Sequence, residues 1–424
     1  MKLIIKGAEC FINGEFVTRD VAVEGDKIVA VESSIPSLEG DKIINACGLH
    51  MFPGLVDPHV HLREPGLSRK ETILTGTRAA ARGGFTTVFS MPNVMPVPDS
   101  LENLKVQTDI IERDAVIEVV PYSSITLGQK GAGECVDFES LAPLVGGFSD
   151  DGRGVQSDDL MLEAMTLAAQ CTNPKPIVAH CEVDSLLNGG YIHAGDYAKE
   201  HNHAGISSES EWREVERDLQ LAEQTGCQFH ICHISTKESV ELLRQAKAKG
   251  LKVSGETAPH YLLLTDEDLQ ELGRFKMNPP LRSREDQMAL LNGIIDGTIE
   301  CIATDHAPHT AEEKAQGLEK SAFGIVGIET SFQLIYTYLV RRGVITMAKA
   351  VELLSLNARR IFGLEEGKIE VGATADLALF DLEKELTVDT ADFLSMGKAT
   401  PFEGWRIVGE CCYTLSKGKI AYEK

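Results

Sequence analysis

Hydrophobic and polar positions change rhythm twice along the chain. The first fifty residues alternate over short spans. Leu3-Ile4-Ile5, Glu9-Cys10-Phe11-Ile12 and, beyond the Asn13-Gly14 turn, Phe16-Val17 predict a hairpin. Val21-Ala22-Val23 and Lys27-Ile28-Val29-Ala30-Val31 predict another around Gly25-Asp26. From residue 51 onward, short apolar runs alternate with segments of helical period, the signature of βα units. Candidate strands are 54–59, 86–90, 117–121, 145–149, 177–180, 229–233, 252–256 and 301–305, with 275–278 as a ninth short candidate. Helical period marks 69–82, 160–170, 211–225, 236–249 and 285–295. Such a run predicts an α/β chain built on a (β/α)8 barrel of the TIM type.

Helical period ends near Leu364, and β texture returns at Lys368-Ile369-Glu370, Ala378-Leu379-Phe380, Tyr413-Thr414-Leu415 and Lys419-Ile420-Ala421-Tyr422. The two chain ends, 1–50 and 365–424, are therefore expected to combine into a small β-sandwich domain beside a barrel of 51–364. The polar, Gly-containing stretch 188–210 is the most loop-like insertion and a candidate lid.

Composition narrows the function. The chain has 424 residues, 43% hydrophobic and 25% charged, as expected of a globular protein. Its net charge of −23, with no long basic patch, argues against nucleic acid or an anionic membrane as partner. A small anionic substrate would need a local cationic anchor. The ten cysteines contain no Cys-x-x-Cys pair and mostly lie in apolar runs, which predicts reduced, buried thiols in a cytoplasmic protein. Cys181 and Cys232 adjoin histidines, but strand alternation turns them to the opposite side. Met1-Lys2-Leu3-Ile4-Ile5-Lys6 is too short for a signal peptide, and no window approaches the ~18 apolar residues of a membrane span.

Side chains at the carboxyl ends of barrel strands face a common cavity. The apolar run Met51-Phe52-Pro53-Gly54-Leu55-Val56 reads as one buried strand leading into Asp57-Pro58-His59-Val60-His61-Leu62-Arg63. Alternation brings His59 and His61 to one side, suited to a divalent cation, with Arg63 in phase. Later strand ends read Met91-Pro92-Asn93, Ser149-Asp150-Asp151-Gly152, His180-Cys181-Glu182, His230-Ile231-Cys232-His233 and Asp305-His306-Ala307-Pro308-His309. Four histidines and two aspartates at strand ends suit zinc or a similar ion. Six ligands exceed what one open catalytic site uses, so two ions sharing a bridging carboxylate fit better.

His59-Val60-His61-Leu62-Arg63-Glu64-Pro65-Gly66, Phe148-Ser149-Asp150-Asp151-Gly152, Met277-Asn278-Pro279-Pro280-Leu281-Arg282 and Thr304-Asp305-His306-Ala307-Pro308-His309 closely resemble the dihydroorotase family of the amidohydrolase superfamily. The likeness runs from about Ile44 onward. It implies that His59, His61 and Asp305 bind one metal, that His180 and His233 bind the second, and that Asp151 bridges them. Many relatives use a carboxylated lysine as the bridge. No lysine lies between Lys130 and Lys175, so the likeness is to the subgroup with an aspartate.

The resemblance further implies reversible cyclisation of N-carbamoyl-L-aspartate to L-dihydroorotate by a metal-bridging hydroxide, with Asp305 as general acid and base. Arg63 offers a bidentate fork for the substrate carboxylate. Asn93, Asn278 and His309 match positions that hold the carboxylate and ring amides, and Phe323-Gly324 match the segment facing the ring. Ala322 stands where relatives commonly have proline, and Val183 where an acidic residue is common. The alternatives are another cyclic-amide hydrolase, a hydantoinase or allantoinase, or a non-catalytic scaffold. A homodimer is compatible with the resemblance. His193, His201, His203, His230 and His260 are expected in lid, surface or supporting positions, and His306 carries no assignment.

Overall fold

A computed structural model of the chain describes residues 2–424. It opens with β1 (Leu3–Ile12), β2 (Glu15–Glu24), β3 (Lys27–Glu32), β4 (Lys42–Asn45) and β5 (His50–Pro53). β1, β2 and β3 are antiparallel neighbours. Asn13 and Gly14 both have positive φ, 53° and 87°, as the tight turn between β1 and β2 requires.

The central strands follow: β6 (Leu55–Val60), β7 (Phe85–Ser90), β8 (Glu118–Pro121), β9 (Ile177–Ala179), the short pair β10 (Ile192–His193) and β11 (Gly205–Ile206), then β12 (Phe229–Ile231), β13 (Val253–Thr257) and β14 (Cys301–Ile302). Parallel pairing joins β6, β7 and β8 in one sheet and β9, β12, β13 and β14 in another. Phe148 bridges Ser123 on one side and Ile177 on the other, linking the two sheets. Val60 bridges His306, so the parallel pairing returns to the strand where it began. Every residue of β6, β7, β9, β12, β13 and β14 is buried, as expected of parallel strands covered on both faces. Intervening helices include Ile73–Arg82, Asp158–Gln170, Glu209–Thr225, Lys237–Ala248 and Arg284–Asp296.

Several expectations change in detail. The run 51–56 is two strands, because β5 pairs with strands of the chain ends and the chain leaves it at Gly54. A Cβ at Gly54 would fall 2.2 Å from Thr86 Oγ1, so only glycine lets the backbone pass so close. The stretch 145–149 forms no regular strand, although Phe148 N–H donates to Pro176 O (3.0 Å) and Val178 N–H to Phe148 O (2.8 Å). Residues 275–278 and 368–370 are not strands either. A helix at Leu101–Asp114 has no counterpart in the sequence reading. It buries only Leu104 and Gln107, so its apolar stripe is faint.

The insertion 188–210 is more ordered than a loop. It contains parallel β10 and β11 and the helix Asp196–His201, and Arg282 donates into it at Ile206 O (3.1 Å).

The chain closes with β15 (Leu377–Thr387), β16 (Arg406–Ser416) and β17 (Lys419–Glu423). These join the first five strands in one mixed sheet ordered β17-β16-β15-β5-β1-β2-β3, with β4 also on β1. Hydrogen bonding is continuous through these strands, consistent with the companion domain expected of the two chain ends. Ile5, Val21, Ile28, Met51, Leu377 and Leu415 share a buried core, so the continuous sheet curls over its own apolar face. Phe52 and Phe380 also reach the main core, where Phe380 stacks on Phe332 with ring centroids 4.0 Å apart. All ten cysteines are free and seven are buried. Among the described residues no helix is long and apolar enough to cross a membrane.

Asp57 fastens the junction where the pairing closes. Its carboxylate accepts from His59 N–H (3.1 Å), Thr304 N–H (3.2 Å) and Thr304 Oγ1–H (2.5 Å). Asp57→Ala leaves these buried donors unanswered, and about 3 kcal/mol of stability should be lost. Chemical denaturation checks this; an unchanged midpoint would mean that the junction is held by packing alone.

Candidate active site

His59 is the penultimate residue of β6 and His61 follows the strand, and each ring is steered by its Nδ1. His59 Nδ1 pairs with Glu256 Oε1 (2.8 Å) and His61 Nδ1 with Asn93 Oδ1 (2.9 Å). With Nδ1 as donor, the Nε2 lone pairs face inward. His59 Nε2 stands 3.3 Å from Asp151 Oδ1 and 3.5 Å from Asp305 Oδ1. His61 Nε2 lies 3.0 Å from Asp305 Oδ1 and 3.5 Å from Asp151 Oδ2. On the other side of Asp151, His233 Nε2 is 3.5 Å and His180 Nδ1 3.8 Å from Oδ1, and these two nitrogens are 2.9 Å apart. The six residues read as metal ligands thus converge, with Asp151 between the two groups.

The neighbouring aspartate has a different task. Asp150 accepts from Ile125 N–H (2.7 Å), Thr126 Oγ1–H (2.5 Å) and Gly131 N–H (3.1 Å), which leaves Asp151 free to face the cavity. Arg63, His233 and Asp305 have positive φ of 60°, 31° and 46°. Non-glycine residues hold that conformation at a cost of about 1–3 kcal/mol each, and they cluster at functional sites. Arg63 therefore reaches the cavity from a left-handed turn and not by strand phase.

Burial works against charge on Asp151, yet His59, His233 and His61 outweigh it and hold its carboxyl well below the usual range. Asp305 is likewise buried, but the bond from His61 and the charge of His59 hold it at about 2. Against the same burial, Asp151 raises His59 well above an ordinary imidazole. The protein thus places buried anions where positive charge must come to meet them. A divalent cation meets that demand while displacing ligand protons.

The donor set fits such an ion. His59, His61 and Asp151 form one compact triad, Asp151, His180 and His233 another, and Asp151 belongs to both. His59 Nε2 and Asp151 Oδ1 are buried without a hydrogen-bond partner, as atoms reserved for a metal would be. Cys232 is closer than strand alternation suggests, since its sulfur joins His59 and Glu256 in a third group. Glu256 is already engaged by His59 and by His230 Nε2 (3.1 Å), so this group supports the rings from behind.

The residues expected to meet a substrate, Arg63, Asn93, Asn278, His309, Phe323 and Gly324, line one cavity of about 200 Å3 together with the carboxylate–imidazole cluster. Asn278 Nδ2–H donates to both oxygens of Glu182 (3.0 and 3.1 Å), and its Oδ1 is buried and unpaired. Arg63 Nε–H donates to Pro308 O (3.2 Å). His309 Nε2–H donates to Phe323 O (2.7 Å), while its Nδ1 faces the Lys70 ammonium (3.1 Å). Burial and then Arg63 and Lys70 push His309 down to about 3, so it is neutral. At Ala322 the N–H that proline would lack donates to Glu313 O (3.0 Å). No residue of 188–210 lines this cavity. A larger cavity of about 670 Å3, near Pro53, Leu356 and Arg359, lies away from the ligands.

Three neighbours of the cluster escape the sequence reading. Glu256 is the penultimate residue of β13 and could be found by reading strand ends. Glu182 ends an apolar run but has no assigned task, and Lys70 gives no local signal. The remaining histidines are supports: His193 meets Arg282 (3.3 Å), His203 meets Glu271 (2.8 Å), and buried His260 is pushed down to about 4 by burial. His306 lies 3.5 Å from Ser395 Oγ.

A family model described as "Dihydro-orotase-like" matches residues 48–239. A dihydroorotase of Geobacillus thermodenitrificans is 50% identical over 97% of this chain and 96% of its own length. Another, of Fusobacterium nucleatum, is 48% identical over 99% of this chain and 98% of its own. Among solved structures, an L-hydantoinase (dihydropyrimidinase) of Arthrobacter aurescens superposes with a TM-score of 0.89 at 26% identity, covering 100% of this chain and 96% of that one. A dihydropyrimidinase of Brevibacillus agri superposes at 0.86 and 24% identity, covering 100% and 95%, a likeness of fold alone. Near-complete coverage at half identity settles the family: the chain belongs to the dihydroorotases.

Proposed function

We propose that this protein interconverts N-carbamoyl-L-aspartate and L-dihydroorotate, the ring-closing step of pyrimidine synthesis. One observation carries the reading beyond the relatives. A buried carboxylate–imidazole cluster shares its cavity with one arginine fork and an asparagine oxygen that has no partner. The cluster suits hydrolysis of a cyclic amide, and the fork selects a ring that carries a carboxylate.

His59, His61 and Asp305 would hold one divalent ion and His180 and His233 the other, with Asp151 between them. Zinc suits this nitrogen and oxygen set. Two such ions would supply an acidified water and a polarised carbonyl at neutral pH. Asp305, ionised at neutral pH, takes the proton of the attacking water and delivers it to the ring nitrogen as the C–N bond breaks. In the reverse direction it takes the carbamoyl N–H proton, the nitrogen bonds to the side-chain carboxyl carbon, and the C–O bond to one carboxyl oxygen breaks, that oxygen leaving as water with this proton and one from solvent. Arg63 binds the ring carboxylate with its remaining donors. Asn278 Oδ1 accepts a ring N–H while Glu182 holds its amide group in place. Asn93 fixes His61 and presents its amide group to the substrate. Neutral His309 contributes hydrogen bonding without charge, and Phe323-Gly324 cover the ring.

The ring of parallel segments supports a (β/α)8 barrel over 51–364. The curled mixed sheet of 1–50 and 365–424 is its companion domain. Free, mostly buried cysteines support a cytoplasmic setting.

A substrate panel on the metal-loaded protein tests the reading. Dihydroorotate should turn over at least about a hundredfold faster than hydantoin or allantoin, because only its carboxylate answers the Arg63 fork. Preference for either neutral ring would make the protein a different cyclic-amide hydrolase. Asp305→Asn should keep the circular-dichroism spectrum and lose on the order of a thousandfold in kcat. A near-normal rate would remove Asp305 from proton transfer. Closure of the carbamoyl-aspartate dianion to the dihydroorotate monoanion consumes one proton. The equilibrium ratio of ring to open form should therefore fall about tenfold per pH unit through the neutral range, measured from both directions.

A further inference from the structure

Lys314 lies in the run Ala311–Lys314, a short helix after the strand-end segment that carries Asp305 and His309, and the reaction proposed above has no use for it. In sequence, Glu312-Glu313-Lys314 looks like ordinary surface charge. Yet the side chain is buried, and its amine donates to three main-chain carbonyls: Lys276 O (3.0 Å), Ala322 O (2.7 Å) and Gly324 O (2.7 Å). Three ammonium hydrogens thus meet three acceptors, with no carboxylate among them. Burying a lysine this way is costly: burial and then Lys276 pull its amine down to about 7.

The acceptors join two segments far apart in the chain. Lys276 lies two residues before Asn278. Ala322 and Gly324 flank Phe323, whose ring borders the cavity. Gly324 N–H also donates to Lys276 O (3.1 Å), so that carbonyl is shared between the loop and Lys314. Gly324 has a φ of 126°, and a Cβ there would lie 2.8 Å from Ala307 Cβ, so only glycine lets the loop pass this close. The Lys276 ammonium sits 4.4 Å from the Phe323 ring centroid and donates to Glu319 O (2.6 Å). Without the Lys314 amine, two carbonyls of the ring-facing loop and one of the Asn278 segment lose their common donor.

We propose that Lys314 is a positioning residue for substrate recognition: its amine locks the 322–324 loop against the segment bearing Asn278, so that both walls meet the substrate ring together. The proposal rests on the functional reading above. Contacts of these walls are made equally to the ring before and during reaction, so their loss should appear in KM and not in kcat.

The test compares wild type with Lys314→Met, which keeps the stem but no donor, and Lys314→Gln, which keeps two N–H donors. With dihydroorotate, K314M should raise KM about tenfold and K314Q by a smaller factor, with kcat within about threefold and bound metal unchanged. K314Q carries the test if K314M does not fold. An unchanged KM in the folded variant overturns the proposal, as does a fall in kcat accompanied by metal loss, which would mark a merely structural role. Hydrogen exchange at Phe323 and Gly324 gives a readout free of substrate. Faster exchange in K314Q supports the lock, and unaltered exchange overturns it. A wild-type protein inactive on dihydroorotate would overturn the functional reading, and the exchange comparison would still decide the role of Lys314.

Discussion

Two buried carboxylates facing one another across a cluster of imidazoles are the constraint to which the rest of this molecule answers. Asp151 and Asp305 are both almost fully buried, and neither has an arginine or lysine within ion-pair distance among the described residues. An ionised carboxylate taken out of water costs several kcal/mol unless opposite charge and hydrogen bonds replace the solvent. Here the replacement is four histidines, three of them within 3.5 Å of Asp151. Imidazoles can release their protons to solvent as a metal dication takes their place, so the anions are never left bare and the cluster is both foldable and ready to be loaded.

Such an arrangement works only if each ring points one way. Glu256 and Asn93 hold the outer nitrogens of His59 and His61. Glu256 is in turn held by His230, whose Nδ1 meets Ser254 Oγ (2.7 Å). The carboxylate Glu182 links the two halves of the cavity, lying 3.4 Å from His180 Nε2 while accepting from Asn278. Behind the histidines, then, stands a layer in which Glu256, His230, Ser254 and Glu182 hold one another and the rings by hydrogen bonds. That layer fixes which atoms remain unpaired in front.

The curled sheet of the chain ends also bears on the cavity, through a connection and not through its strands. Between β15 and β16 the chain runs back to the central unit. There Glu329 accepts from Leu394 N–H (3.0 Å) and Ser395 N–H (3.1 Å), and Glu71 from Ser395 Oγ–H (2.5 Å). Gly397 packs against Pro308, where a Cβ would come within 2.6 Å of the ring. Pro308 is the residue whose carbonyl holds Arg63. The carboxyl-terminal connection therefore backs the proposed substrate anchor.

Much of this was legible in the sequence. Period-2 and period-3.6 patterns are properties of contiguous residues, so β1 to β3, most central strands and five helices could be read locally. His59, His61, His180, His233 and Asp305 each stand where an apolar run ends, which is why strand ends named them before any resemblance was considered. The helix Leu101–Asp114 escaped because it covers the core with too few apolar residues. The division of 51–56 into β5 and β6 escaped because both halves are equally buried. Tertiary structure alone decided that Asp150 is consumed by backbone donors while Asp151 is free, that Glu256 stands behind His59, and that Lys314 is buried beneath the loop it fastens. Those roles depend on which distant groups meet and on how their meeting shifts charge. A side chain's partners across a fold are set by packing, and no local pattern records them.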